Sequence, residues 1–586
     1  VSASESPFTV VEHETDLCVV GGGMAGLAAA IAAARGGARV VLMHERPVLG
    51  GNASSEIRVH VCGADRHNRI PNLRETGILE EIRLQNAWRN PLQNYAILDS
   101  VLYELARAEP NLTLLLNCSC NQAEMDGPRI AAVTGWQMTT QSFQRVHARI
   151  FADCSGDAVL APLSGAAFRM GREARSEFDE SLAPEKADRH TMGMTCLFQA
   201  REYPSPQPFI PPAWAHTLER CEDLPYGPGG HDFWRMGYWW AELGGEYDII
   251  ADAEWLRDEC LKITYGIWDH IKNSGRHDAD NWALEWVAVL PGKRESRRYV
   301  GAHVLTQNDI ESEGRFHDVV AYGGWSMDDH HPAGFHSVKI GAPATIFHHA
   351  PSPYGIPYRC LYARRIENLM FAGRCASATH MAMSSTRVAA TCAVMGQAVG
   401  TAAALAVRRG ILPRDVLAHV PELQQRLLAD DCYLPWTPLQ IPHLTARARL
   451  SASRGDPEPV RDGWGRPIGD DPHAWTCEPG DTITAELAEP ARVESVTLTL
   501  DSDLAANIQQ SMSPHSPAQL RVPASLPRRF RLEGRAGGRW RAIAAVEENR
   551  RRHVPLPVDR TLDAVRFTLE ETWGAPATRL FGFYLR

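Results

Sequence analysis

The spacing Gly21-x-Gly23-x-x-Gly26 follows a short apolar run, Leu17-Cys18-Val19-Val20, and opens an alanine-rich segment. Glycines at these positions allow a tight turn, a close backbone approach to a pyrophosphate, and close packing of a helix on a strand. The helix N-terminus, where Met24 and Ala25 fall, then offers unpaired N–H groups to the anion. A second apolar run, residues 39–43, leads to Glu45 and Arg46. Glu45 stands nineteen residues after Gly26, where a carboxylate accepts hydrogen bonds from a ribose diol and disfavours a 2′-phosphate. The chemistry predicted is binding of the ADP half of a dinucleotide, NAD or FAD rather than NADP.

The elements that must position these residues are legible nearby. Residues 15–45 read as strand, turn, helix, strand, with Gly36-Gly37 stopping the helix. Residues 100–165 carry further strand signals, ending in Arg149-Ile150-Phe151-Ala152-Asp153. Residues 369–372 form another apolar strand, followed by glycine and a long helix of small residues. Between these, residues 200–290 hold eight of the sixteen tryptophans (Trp214, Trp234, Trp239, Trp240, Trp255, Trp268, Trp282 and Trp286), which marks a separate substrate-facing cap. Beyond about residue 435 the pattern turns to β. Val496, Leu498 and Leu500 alternate with threonines, Val565, Phe567 and Leu569 alternate likewise, and residues 531–543 read as a hairpin through Gly537-Gly538. Residues 452–466, rich in Arg and Pro, read as a linker. The expected fold class is α/β: a Rossmann-type domain from residues 1–165 and 340–435, an inserted α+β substrate domain over 166–339, and an all-β sandwich over 436–586.

Three further segments resemble flavoprotein patterns. Gly50-Gly51-Asn52-Ala53-Ser54-Ser55 is similar to the loop that runs under the flavin's ribityl chain. Ala152-Asp153-Cys154-Ser155-Gly156-Asp157 resembles the strand that ends in Thr-Gly-Asp, with Ser155 in place of Thr. Leu369-Met370-Phe371-Ala372-Gly373-Arg374 resembles the third flavin segment, and Gly396-Gln397-Ala398-Val399-Gly400 lies in the helix behind it. In this order they resemble the FAD-dependent oxidoreductase family, which includes bacterial proteins of unassigned substrate, some carrying the label xanthan lyase. They are more distantly similar to succinate dehydrogenase and fumarate reductase flavoproteins. The resemblance covers roughly residues 15–430 and extends to residues 292–298, 323–330 and 354–359. It implies FAD, with Arg387 at the start of the final helix a further candidate contact. Phe530-Arg531-Leu532, Trp540 and Asn549 fall in the order shown by galactose-binding-like jelly rolls of the discoidin type.

A flavin carries the redox step, so the protein must place a C–H at the flavin and manage a proton. Histidine is the usual base near neutral pH. His380, seven residues after Gly373, and His330, after Asp328-Asp329, are the candidate proton acceptors. Arg297, in the run Arg294-Glu295-Ser296-Arg297-Arg298, is a candidate for clamping an anion or stabilising reduced flavin. His330 and His331, with His336, His348 and His349, are also weighed as a metal cluster, but no metal ligand set is assigned. His44, His60 and His380 are candidate points for covalent flavin attachment.

The net charge of −10 over 586 residues lacks the basic face that nucleic-acid binding needs. Thirteen scattered cysteines fit reduced buried thiols, and no apolar run predicts a membrane span, so a cytoplasmic protein is expected. Residues 1–5 show no signal pattern, although the chain does not begin with Met and a cleaved leader stays open. The expected activity is hydride removal from a hydroxyl-bearing carbon of a small-molecule substrate. The tryptophans and the terminal jelly roll favour a sugar or glycoside. Two alternatives are a redox-neutral enzyme that cleaves a glycoside by transient oxidation and elimination, and a glycan-binding protein with a vestigial flavin site.

Overall fold

The computed structural model describes residues 7–226, 231, 238–511 and 520–586. Trp234 and residues 1–5, read above, lie outside these. Contacts divide the chain into two compact units. One is residues 1–63, 93–420 and 510–518; the other is 64–92, 421–509 and 519–586. The cap expected over 166–339 therefore does not separate from the dinucleotide-binding segments, and residues 64–92, assigned by sequence to the first domain, fold with the terminal β-rich unit.

In the first unit, β1 (Val10–Val20) runs into α1 (Met24–Arg35) and β2 (Val40–Met43). β3 (Leu112–Leu115), β4 (Cys118–Asp126), β5 (Arg129–Gln137) and β6 (Ser142–Asp153) follow, with β7 (Leu369–Phe371) returning much later. The sheet order is β3-β2-β1-β6-β5-β4, and β7 also pairs β6. One edge of β6 is shared: antiparallel β5 takes residues 142–147 and parallel β7 takes 151–153. The register aligns Val20 with Met43 and Asp153, and Asp153 with Phe371. Four parallel strands thus end side by side, the place where open α/β sheets bind ligands. Their buried ends are continuous apolar runs because both faces are covered.

The covering element is a helix pair. α1 is buried from Met24 to Ala34 and has no polar face. Against it packs α3 (Ala389–Arg409), reached through α2 (His380–Thr386). A Cβ at Gly396 would stand 2.0 Å from the Ala25 carbonyl oxygen, and one at Gly400 2.1 Å from that of Ala29. The helices meet backbone to backbone, and only glycine allows it. α3 is long and apolar enough to cross a membrane, with a mean hydropathy of 1.5, a length that the sequence reading passed over; but 94% of that stretch is buried inside the fold, so it is a core helix.

The cap segments of this unit hang on the helix Ala253–Asn273, whose buried face carries Leu256, Cys260, Ile263, Ile267, Trp268 and Ile271. These pack on short strand pairs, including Phe198–Glu202 with Trp282–Val287. Trp268 and Trp282 are core residues, whereas Trp214 and Trp255 are about half exposed.

The second unit is antiparallel. Its strands are β8 (Arg449–Ala452), β9 (Trp475–Cys477), β10 (Thr482–Leu500), β11 (Pro527–Ala536), β12 (Arg539–Val546), β13 (His553–Thr572) and β14 (Thr578–Leu585). The order is β9-β14-β10-β13-β11-β12, with β8 also on β10. The long strands β10 and β13 shift register between Glu486 and Ala491; the first part of β10 also pairs β8 and its last part β14, while the last part of β13 also pairs β11. Bulges of this kind bend strands between packed halves, and one apolar core, including Val496, Phe530, Phe567 and Phe583, joins them. The Gly537-Gly538 hairpin forms between β11 and β12. The linker reading of 452–466 fails: Arg466 is buried and donates to the carbonyls of Asn72 and Arg74 and to the Thr76 hydroxyl.

Gly396→Ala is expected to destabilise the protein by about 1–3 kcal/mol, because the added methyl meets a carbonyl that cannot move without separating two core helices. Thermal unfolding of the variant beside the parent checks this, and flavin retention is expected to fall with stability.

Candidate functional site

The strand ends open into a cavity of about 450 Å³, within the size range of small-molecule sites. Gly21, Gly23, Met24 and Ala25 form one wall, Glu45 and Arg46 a second, and Gly51, Asn52 and Ala53 a third. Ser155, Gly156 and Asp157 meet Gly373, Arg374 and Arg387 across it. Two predicted contacts do not line the cavity. Gly26 supports it instead: a Cβ there would stand 1.8 Å from the Gly21 oxygen. The Ser54 hydroxyl is fully buried and donates to the Gly51 carbonyl.

The walls are locked by local hydrogen bonds. Gly21 sits at φ +100° and has Ser155 backbone atoms 2.5 Å from where a Cβ would be. Gly23 caps α1 in extended conformation without a side-chain cap, so the first-turn N–H groups have no capping side chain. A Cβ there would meet only Gly51, at 3.9 Å, which leaves the backbone approach open. His44, a candidate attachment point by sequence, also lines the cavity; it accepts from the Gly22 N–H at 2.9 Å while its Nε2 lies 3.0 Å from the Val48 carbonyl. Burial, with Arg46 nearby, lowers its pKa to about 4, so it is neutral and donates from Nε2. Asp153 accepts from the Ser155 N–H and hydroxyl, the Leu160 N–H and the Tyr299 hydroxyl, which fixes the turn after β6.

Asp157 joins the cavity walls. It pairs with Lys293 and Arg374, each at 2.8 Å, and accepts from Ser296. Burial opposes its charge, but the two cations outweigh that and hold its carboxyl well below the ordinary range. Lys293 lines the cavity without having been singled out. Two buried arginine atoms on the cavity residues, Arg46 Nη1 and Arg387 Nε, have no hydrogen-bond partner among the described residues. An uncapped helix N-terminus, an acid at the second strand end and donors in want of an acceptor fit a dinucleotide that carries phosphates, a ribose diol and a ring with acceptors. Cys392 also lines the cavity; burial pushes its thiol up to about 12, so it stays protonated.

Beside Arg387 lies a buried charge network. His380 Nδ1 is 2.8 Å from Glu295 and its Nε2 3.2 Å from Asp329, while its backbone N–H donates to Glu173. His330 Nδ1 is 2.7 Å from Glu242 and its Nε2 3.4 Å from Asp328. Arg294 faces Glu242, Arg298 faces Glu173 and Glu295, and Arg387 faces Asp328. Asp328 and Asp329 are consecutive on the strand Met327–His330, so they point to opposite sides, one to each histidine. Five carboxylates thus face three arginines, and two imidazolium charges complete the balance. Burial works against charge on both rings. Glu295 and Asp329 outweigh it at His380, raising its pKa to about 10, and Glu242 and Asp328 raise that of His330.

This arrangement departs from two sequence expectations, the histidine bases and the role of Arg297. His380 and His330 are engaged at both ring nitrogens and held protonated, so neither has a lone pair with which to act as the base. Arg297 is outside the network; its guanidinium lies over the Phe168 ring and donates to the Asp157 carbonyl, while its neighbours Arg294 and Arg298 carry the ion pairs. The histidines at 330, 331, 336, 348 and 349 do not converge as metal ligands among the described residues. Sequence reading missed Glu242 and Glu173; Glu295 it noted as flanked by Arg294, Arg297 and Arg298, and the pairing with Arg298 forms.

Because His380 titrates near 10 in the fold and near 6.5 when unfolded, its contribution to stability is complete below about pH 6.5 and is lost as pH rises through 10. The parent is therefore expected to lose more stability between pH 7 and 10 than His380→Gln, measured as denaturant midpoints; equal slopes would contradict the charged assignment. Gly23→Trp places an indole where the backbone meets the cavity and is expected to abolish flavin retention; a variant that keeps full flavin refutes the placement of the pyrophosphate.

No curated protein sequence is significantly similar to the chain. A solved structure of a geranylgeranyl bacteriochlorophyll reductase-like protein from Thermoplasma acidophilum covers 72% of this chain and 86% of its own, at 11% identity and a TM-score of 0.32. A family 32 carbohydrate-binding module from Streptococcus pneumoniae EndoD covers 24% of this chain and 94% of its own, at 14% identity and a TM-score of 0.19. These likenesses are too distant to carry an argument. The model of the FAD dependent oxidoreductase family, however, matches residues 16–427, which span every wall of the cavity and the whole charge network. The chain belongs to the FAD-dependent oxidoreductase family and is an FAD enzyme.

Proposed function

We propose that this flavoenzyme dehydrogenates a hydroxyl-bearing carbon of a sugar or glycoside, with Asp329 as the proton acceptor. The observation that carries this reading is the relay Asp329–His380–Glu295. Asp329 is its open end, with a side chain 22% exposed, whereas His380 and Glu295 are buried. A hydroxyl hydrogen-bonded to Asp329 gives its proton to the carboxylate oxygen. Burial raises the carboxyl's affinity for that proton, but the His380 charge beyond it lowers it more, so Asp329 rests ionised and ready to accept. FAD, when bound, would supply the hydride acceptor for that carbon. The first turn of α1 would hold the pyrophosphate, Glu45 the ribose, and Arg46 and Arg387 acceptor atoms of the cofactor.

The sugar assignment rests on the cap. Trp255 and Tyr247 stand edge to face at 5.0 Å, and both are about half exposed. Trp255 follows directly on Ala253 and Glu254, which line the cavity. Exposed aromatic faces of this kind pack on the apolar faces of pyranose rings.

Asp329→Asn is expected to keep its FAD and to slow anaerobic flavin reduction by a sugar substrate about 10²–10⁴-fold, the usual worth of a positioned base. Stopped-flow absorbance of parent and variant measures it. An unchanged rate constant in the variant would remove Asp329 from the chemistry. A flavin that no sugar or glycoside reduces would remove the substrate class.

A further inference from the structure

We infer that the cap carries a structural zinc site made by Cys221, His231, His270 and His277. The four side chains are spread along the chain: Cys221 in a short turn, His231 ten residues on, His270 in the last turn of the helix Ala253–Asn273, and His277 in the segment beyond. Their ligand atoms all lie within 4.8 Å of one another. The Cys221 sulfur is 3.4 Å from His270 Nε2 and 3.8 Å from His277 Nε2. His277 Nε2 is 3.0 Å from His231 Nε2 and 3.1 Å from His270 Nε2. A tetrahedral zinc with bonds of about 2.0–2.1 Å to nitrogen and about 2.3 Å to sulfur spaces its ligands by roughly 3.3 to 3.6 Å. The observed separations bracket those edges.

The chemistry points the same way. His270 Nδ1 lies 2.8 Å from the Leu218 carbonyl and donates to it, which leaves Nε2 as a lone pair aimed into the cluster. A backbone carbonyl on the far nitrogen is the usual way a metal-binding histidine is oriented. The three rings stand at 64–76° to one another, so their Nε2 atoms converge while the ring bodies splay apart. His231 and His270 are each only 2% exposed. Three imidazole nitrogens and a thiol brought within contact repel unless protons or a cation hold them. One divalent ion satisfies all four lone pairs at once and releases the thiol proton to solvent. Three imidazoles with one thiolate suit zinc, and four protein donors leave no open position, which marks a structural rather than a catalytic centre.

None of these residues lines the cofactor cavity or joins the carboxylate network. The ion would tie Cys221 and His231 to the C-terminal end of the helix whose first turn, at Ala253 and Glu254, borders the cavity. The site was not legible in the sequence because its spacings of ten, thirty-nine and seven residues match no compact zinc motif.

The test uses the whole protein without a histidine tag. Elemental analysis after dialysis against zinc is expected to find about one equivalent per chain. Replacing zinc with Co²⁺ is expected to give the intense visible bands of a tetrahedral site and a thiolate-to-cobalt charge-transfer band. Cys221→Ser should remove the charge-transfer band, and His277→Ala should lower zinc affinity at least tenfold. Both should keep their FAD content, which reports that the fold survives. No bound zinc together with no tetrahedral cobalt spectrum in the parent overturns the proposal, as does a cobalt spectrum that Cys221→Ser leaves unchanged. If a variant fails to fold, the parent's zinc content and cobalt spectrum decide alone.

Discussion

The backbone contact between α1 and α3 is the constraint on which the site rests. Gly396 and Gly400 bring α3 against the carbonyls of Ala25 and Ala29 with no room for a side chain. That approach sets Gly373 beside Ala25: a Cβ at Gly373 would stand 3.0 Å from the Ala25 methyl. It also brings the segment carrying Arg374, Arg387 and Cys392 to the mouth of the Gly21–Gly23 turn, and all of them line one cavity. Two helices with larger side chains would pack about 8–10 Å apart and would separate these walls. Small residues at this contact thus serve geometry, while Leu27, Ile31, Met395 and Leu405 on the same helices are buried in the core.

The second organising feature is electrostatic. Placing five carboxylates in a buried region is costly unless each finds a partner. Arg294, Arg298 and Arg387 meet three of the charges, and the two histidines meet the rest. The network therefore fixes the protonation state of its histidines and aligns Asp329 toward solvent. Its members come from five stretches of chain, around residues 173, 242, 294–298, 328–330 and 380–387, so it also ties the cap segments to the chain that follows β7. Asp157 plays a parallel part on the cofactor side, joining the turn after β6 to Lys293 and Arg374.

The parts of this fold set by short-range chemistry were legible in the sequence. The glycine turn, the acid at Glu45, the Ser155-Gly156-Asp157 turn and the Gly537-Gly538 hairpin each follow from local conformational needs. What depended on chain segments far apart was not. Glu242 meets His330 across 88 residues and Glu295 meets His380 across 85, and no spacing rule relates them. For the same reason the histidines looked like free bases, although their partners hold them charged. Residues 64–92 misled because they follow the flavin-loop motif in sequence; a buried Arg74–Glu80 pair and the Arg466 contacts instead hold them in the β-rich unit. Trp540, one of the residues in the jelly-roll order, has Arg566 at 4.2 Å and Arg535 at 5.4 Å from its ring.

The central claim is that the cavity is built for both halves of FAD, with the α1 N-terminus and Glu45 recognising the ADP moiety. Equilibrium binding of FAD and of FMN to the flavin-stripped protein, followed by flavin fluorescence, tests it most directly. The account predicts stoichiometric binding of FAD and an affinity for FMN lower by at least a hundredfold, since FMN lacks the pyrophosphate linkage and the adenosine ribose. Equal affinities, or no binding of FAD, would contradict it.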